Sequence, residues 1–365
     1  MRALTVAPGQ KGSIRLDERP DPQPQADCAL IEALALGICG TDIEIIDGDY
    51  GWAPKGEDRL ILGHESLGRV LETPANSALQ TGDMVVGIVR RPDPVPCPAC
   101  AVGEWDMCLN DQYTERGIKE RHGYGAERYL LEPDFAIKVD RGLGILGVLL
   151  EPTSVVAKAW DHIERIGDRT RSWAPRRVLV TGAGPVGLLA AMIARQKGLE
   201  THVLDRNTDG PKPGLVRDLG ATFHAGDLSK IEALSPTVVI ECTGADEVVN
   251  AVIAHGGHDA VICLAGVSSG GRELPFDVGG FNRRTVLRND VVFGTVNANR
   301  AHYQAAAEAL GKADRGWLGR LITRRVPLDN WREAFTKRDD DVKVVIDFGR
   351  LEGGENSGTH PAATR

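Results

Sequence analysis

The 365-residue chain has no run of about eighteen uncharged apolar residues, the length a membrane-spanning helix needs, and no apolar signal segment follows Met1-Arg2. Aromatic residues are few, 5% of the total, and the six tryptophans follow no pattern suited to stacking bases. Basic residues form no block longer than pairs such as Arg90-Arg91 and Arg283-Arg284, and the formal charge is −8. A phosphate backbone therefore finds no footprint. Membrane, secretion and nucleic acid are set aside, and the expected compartment is the cytoplasm. Cysteine is sparse and odd in number, seven in all, which argues against a disulfide framework.

What is present is a soluble composition, 42% hydrophobic and 26% charged, with 43 glycines and 20 prolines for tight connections. The length favours two domains. Residues 1–150 mix short β-rich runs (29–36, 68–72, 84–89 and 136–139) with turns, which reads as an irregular β domain. From about Val155 strands and helices alternate, with strands expected at 177–181, 201–205, 238–242, 260–265 and 291–296. Such alternation builds a parallel sheet with crossover helices. Helices near 301–310 and 331–337 and a strand at 342–348 are expected to return to the first domain. Residues 351–365 have scarcely any apolar content and are expected to form a mobile tail.

Gly182-Ala-Gly184-Pro185-Val186-Gly187 follows the apolar run Val178-Leu179-Val180 and opens a helical stretch. In that context the glycines permit a tight turn, close approach of backbone N–H groups to a pyrophosphate, and helix packing on the strand. Asp205, at the end of the next strand, is placed to accept hydrogen bonds from an adenosine ribose, which favours NAD. Arg206 beside it suits a 2′-phosphate, so NADP stays open; a solvated loop arginine is the plainer reading.

Two groups suggest metal. Cys39, in Gly37-Ile-Cys39-Gly-Thr41-Asp42, and His64-Glu65 offer a thiolate, an imidazole and a carboxylate on turns, a set that suits zinc, with Glu151 near the domain junction as a further donor. Spacing alone leaves open that Cys39 is a buried small residue and His64-Glu65 a surface pair. Cys97-x2-Cys100-x7-Cys108 lies on a Pro-rich lobe where thiolate ligation would supply rigidity, with Asp93 the nearest oxygen and free thiols the alternative.

Together these segments, with Leu150-Glu151-Pro152 and Gly294-Thr-Val-Asn297, resemble the zinc-dependent medium-chain dehydrogenases, most closely their glucose dehydrogenase branch. The resemblance implies an α/β protein: a GroES-like β-rich catalytic domain (1–153 and 297–350) plus a Rossmann doubly wound parallel-sheet domain (154–296), with the active site between them. It implies a catalytic zinc held by Cys39 and His64, with Glu65 and Glu151 completing the shell directly or through water. Thr41 would contact the reacting hydroxyl or the nicotinamide ribose. Glu115, Glu151 and Asn297 would contact a sugar, Asn297 also the nicotinamide.

The implied reaction is hydride transfer from C1 of an aldose to NAD(P), giving a lactone, with the proton leaving through Thr41 towards Glu44 or Glu151. Oxidation of another polyol or secondary alcohol, a zinc-free reductase and a non-catalytic nucleotide-binding protein are the alternatives. Relatives are commonly tetramers or dimers. Relatives also carry a fourth lobe cysteine where this chain has Pro94, so the structural zinc would be weaker, completed by Asp93, or absent.

Overall fold

The computed structural model describes residues 1–268 and 273–351. Of the expected tail 351–365, only Leu351 lies among the described residues.

The strand Ala29–Ile38 alternates at first and is then buried on both faces from Ala33 to Gly37, as a strand inside a sheet must be. On one side it pairs antiparallel with Glu65–Glu72. Its other side is shared: Ala29 to Glu32 pair with Arg128–Leu131, and Ala35 to Ile38 with Lys343–Asp347. The two chain ends thus build one sheet, extended by Met84–Gly87 and Ala136–Lys138 at one edge and Ile322–Pro327 at the other.

The second sheet holds six parallel strands in the spatial order Thr222–Ala225, Glu200–Asp205, Arg177–Thr181, Val238–Glu241, Val261–Leu264, Val291–Gly294. Val178, Leu179 and Val180 are wholly buried between covering helices. The order reverses between Arg177–Thr181 and Val238–Glu241, which opens a crevice at the carboxyl ends of those two strands. Five of the six strands were expected. The sixth, Thr-Phe-His-Ala at 222–225, is a short edge strand without a fully buried residue, so its composition carries no strand signal.

The helix Leu150–Gly167 packs against Arg300–Lys312 and Pro185–Gln196 and sits in a core running through both sheets. With the turns before it, Arg141–Gly167 is long and apolar enough to cross a membrane, but it is a mostly buried core element. The expected boundary between residues 153 and 154 falls inside the helix Leu150–Gly167.

Candidate active site

Sheet register brings the first donor group together. Gly37 pairs with Glu65, so the turn after one strand, carrying Cys39, lies beside the turn before the other, carrying His64. A Cβ on Gly37 would meet Glu65 Oε2 at 2.0 Å, and Gly63 holds φ at +92°, so glycine at both positions is required for this approach. Cys39 Sγ, a ring nitrogen of His64 and a carboxylate oxygen of Glu65 lie within 4.8 Å of one another. Asp42, in the first turn of the helix Gly40–Asp47, accepts the Cys39 N–H at 2.9 Å. Its other oxygen stands 3.5 Å from His64 Nδ1, and both atoms are buried with no closer partner. A proton on Nδ1, facing Asp42, leaves Nε2 with the lone pair a metal needs. Burial opposes a charged imidazole, yet Asp42 and Cys39 raise His64 well above its ordinary range, the mark of an anionic pocket suited to a cation. The donor set, thiolate, imidazole and carboxylate, fits zinc.

Two residues here were not singled out from the sequence. Asp42 was visible only as part of the Cys39 segment. Lys343 comes from the C-terminal strand, its Nζ 2.6 Å from both Glu65 oxygens and 3.1 Å from the Ile38 carbonyl, and the pair is fully buried. Nothing local to Lys343 distinguishes it from a surface lysine. Glu151 lies buried at the start of its helix, outside the 4.8 Å group. Burial pushes its carboxyl up to about 7, His64 working against this and Glu65 adding to it.

The expected sugar contacts also meet. Asn297 Nδ2 donates to Glu115 Oε1 at 2.7 Å across 182 residues of sequence. Glu115 is buried on the short strand Thr114–Arg116 and receives Arg90 through Nε at 3.0 Å and Nη2 at 2.9 Å. The turn after it lies on the metal side: a Cβ on Gly117 would meet the Gly63 carbonyl at 2.5 Å, one residue before His64. Thr41 is half-buried on the first turn beyond Cys39. Trp52 is 47% exposed and packs edge-on against Tyr50.

At the crevice of the parallel sheet, Gly182 holds φ at +89° and Gly184 precedes the helix Pro185–Gln196, with Pro185 in its first turn and Val186 after it. Space beside Gly184 is open, as a cradle for a pyrophosphate requires, whereas a Cβ on Gly187 would meet the Gly182 carbonyl at 1.8 Å. Gly187→Ala is therefore expected to distort the loop and weaken dinucleotide binding about tenfold or more, as read by fluorescence titration with NADPH. Unchanged affinity would show that the loop does not hold the cofactor. Asp205 accepts the Ala183 N–H at 2.6 Å and the Asn207 N–H at 2.8 Å, so it braces the loop. Arg206 is exposed, and the basic group beside Asp205 is instead Lys212 at 3.7 Å, which the sequence reading missed.

Comparison with known proteins agrees with this geometry. The family model for the glucose dehydrogenase C-terminus matches residues 144–348, and that for the alcohol dehydrogenase GroES-like domain matches 25–141. A glucose 1-dehydrogenase of Methanocella arvoryzae is 38% identical, covering 96% of this chain and 100% of that protein. One of Vulcanisaeta moutnovskia is 39% identical, covering 95% and 99%. This chain belongs to the zinc-dependent glucose dehydrogenase branch of the medium-chain dehydrogenases. The fold agrees: Haloferax mediterranei glucose dehydrogenase, solved with NADP, Zn and gluconolactone, superposes with a TM-score of 0.88 at 31% identity, covering 95% of this chain and 99% of that one.

In this dehydrogenase the cysteine lobe forms a second donor group, with Cys97, Cys100 and Cys108 Sγ within 4.8 Å of one another. Cys97 Sγ accepts N–H bonds from Cys100 and Leu109, both at 3.4 Å, which lower its pKa and favour the thiolate. Asp93 is not in that group; its Oδ1 accepts the Val95 N–H, while Oδ2 is buried without a hydrogen-bond partner. A third group, Asp161, His162 and His302, is already engaged: Asp161 pairs with Arg165, and His302 Nδ1 accepts the Asn299 N–H.

Proposed function

We propose that this dehydrogenase oxidises the C1 hydroxyl of an aldose such as glucose with NAD or NADP, releasing the lactone. The observation that carries the reading is the Glu115–Asn297 hydrogen bond, which joins two polar groups from distant segments, with Gly117, two residues beyond Glu115, packed against the Gly63 carbonyl. A buried carboxylate with an amide beside it can accept and donate to several hydroxyls of a sugar. The glucose 1-dehydrogenase relatives, and the Haloferax mediterranei structure with its NADP, Zn and gluconolactone, support it.

Cys39 and His64 would hold the catalytic zinc, with Glu65 or Glu151 completing its shell; Cys97, Cys100 and Cys108, with Asp93, would hold a structural one. Bound zinc supplies Lewis acidity towards the substrate hydroxyl, and the nicotinamide supplies the hydride acceptor. Thr41 Oγ1 would orient the C1 hydroxyl and relay its proton, accepting it while passing its own hydroxyl proton onward. Either Glu151, whose carboxyl burial lifts to about 7, or Glu44, exposed on the helix of Thr41, would receive that proton on its way to solvent. Glu115 and Asn297 would orient the sugar ring, and Asn297 would also contact the nicotinamide. The loop from Gly182 to Gly187 takes the pyrophosphate. Asp205 supports NAD, while Lys212 beside it, more than Arg206, offers a cation to an NADP 2′-phosphate.

The same reading divides the chain into 1–153 with 297–350 and 154–296. It makes the enzyme a cytoplasmic dimer or tetramer, for which the free cysteines and the exposed Val278, Val286 and Leu287 near the edge strand Val291–Gly294 are support. The test is a panel of aldoses, polyols and simple alcohols with each dinucleotide. Reduced cofactor is expected with glucose or a close epimer, abolished by a chelator and restored by Zn. Activity confined to simple alcohols would overturn the sugar assignment.

A further inference from the structure

Behind the two sugar contacts lies a closed ring of buried polar groups that neither the metal site nor the dinucleotide loop uses. Arg90, which forks Glu115, donates from Nη1 to the Asp106 carbonyl at 3.2 Å and stacks on Tyr113 at 3.7 Å. Asp106 belongs to the turn Trp105–Met107 that closes the cysteine lobe. Its Oδ2 is 2.8 Å from Lys158 Nζ, both side chains being almost wholly buried, and its Oδ1 accepts Asn299 Nδ2 at 2.9 Å. Lys158, from the helix Leu150–Gly167, donates in turn to the Val296 carbonyl at 2.9 Å. The next residue is Asn297, held at φ +61°, whose amide returns to Glu115.

The ring therefore runs from Glu115 through Arg90, Asp106, Lys158 and the Val296 peptide to Asn297 and back. Asparagine tolerates a left-handed backbone better than other non-glycine residues, and the Lys158 bond to the preceding carbonyl fixes Asn297 in it. A buried ion pair contributes little net stability over an apolar pair of similar size, so the geometry it enforces is its main effect here. Resting on the aldose dehydrogenase reading above, we propose that Asp106 and Lys158 are positioning residues for the sugar. They hold Glu115 and Asn297 in one register and tie that register to the cysteine lobe.

The experiment is steady-state kinetics of the zinc-loaded enzyme with Asp106→Asn, alone and combined with Glu115→Gln. Asp106→Asn is expected to raise KM for glucose about tenfold or more, the effect of one lost charged hydrogen bond, with KM for the dinucleotide changed by less than about twofold. In the Glu115→Gln background the same change is expected to add less than about twofold, because it acts through Lys158 and Val296 on the Asn297–Glu115 contact that Glu115→Gln already weakens. Should Asp106→Asn fail to fold for want of a partner to Lys158, Asp106→Asn/Lys158→Met removes both charges and is read in the same way. Parallel rises in both KM values, full multiplication with Glu115→Gln, or an unchanged glucose KM would each overturn the proposal. Failure of the unaltered enzyme to oxidise any aldose overturns the functional reading instead, and shows before any substitution is made.

Discussion

His64→Ala is expected to release the catalytic zinc and to lower kcat/KM for glucose about a thousandfold or more, since a Lewis acid is worth several kcal/mol to such a transition state. The imidazole is one of three donors within 4.8 Å, and it is the only nitrogen among them. Its loss leaves the Cys39 thiolate and a Glu65 carboxylate already engaged by Lys343. Asp42, which faces His64 Nδ1, would lose the ring it orients. The checks are zinc content by mass spectrometry after gel filtration and steady-state rates on glucose. Retention of the same zinc content with activity within about tenfold of the parent would place the ion elsewhere. His162→Ala, in the third donor group, serves as the comparison and should keep its zinc.

The second large effect concerns stability. Lys343→Met strands the Glu65 carboxylate, 1% exposed, without its ammonium partner. Breaking a buried pair from one side costs about 3–5 kcal/mol, because the remaining charge has lost both water and counter-ion. Urea unfolding should show that loss, and Glu65→Gln/Lys343→Met should recover most of it, since neither charge then remains. The loss should be larger in metal-stripped protein, where no dication shares the carboxylate's charge. A single substitution costing less than about 1 kcal/mol, the scale of an exposed ion pair, would show that water reaches Glu65.

How much of this was legible in the sequence follows from how local each feature is. The glycine loop was legible because turn, glycine spacing and helix start are neighbours in the chain, and Gly182, Gly184 and Gly187 each lack a side chain for a local reason. Central strands announced themselves through apolar runs, whereas Thr222–Ala225, exposed along one edge, had no such signature. Cys39 and His64 were suspected as a pair, but their spacing alone was equally compatible with a packed thiol and a surface imidazole. Only the pairing of Gly37 with Glu65 places them side by side. Arg206 was weighed on adjacency in sequence alone; the structure leaves it exposed and brings a second cation, Lys212, to within 3.7 Å of Asp205 from further along the chain.

The amino-acid sequence alone therefore determined the order of elements, the glycine turn proposed for the dinucleotide and the chemistry of the candidate donors, since periodicity, glycine placement and side-chain chemistry are properties of short segments. Tertiary structure decided which of those donors share a pocket, that Lys343 neutralises Glu65, and that Asp106 and Lys158 stand behind Glu115 and Asn297. These are contacts between residues far apart in the chain, set by strand register and by the return of the C-terminal strand to the first sheet, and no local pattern encodes a register.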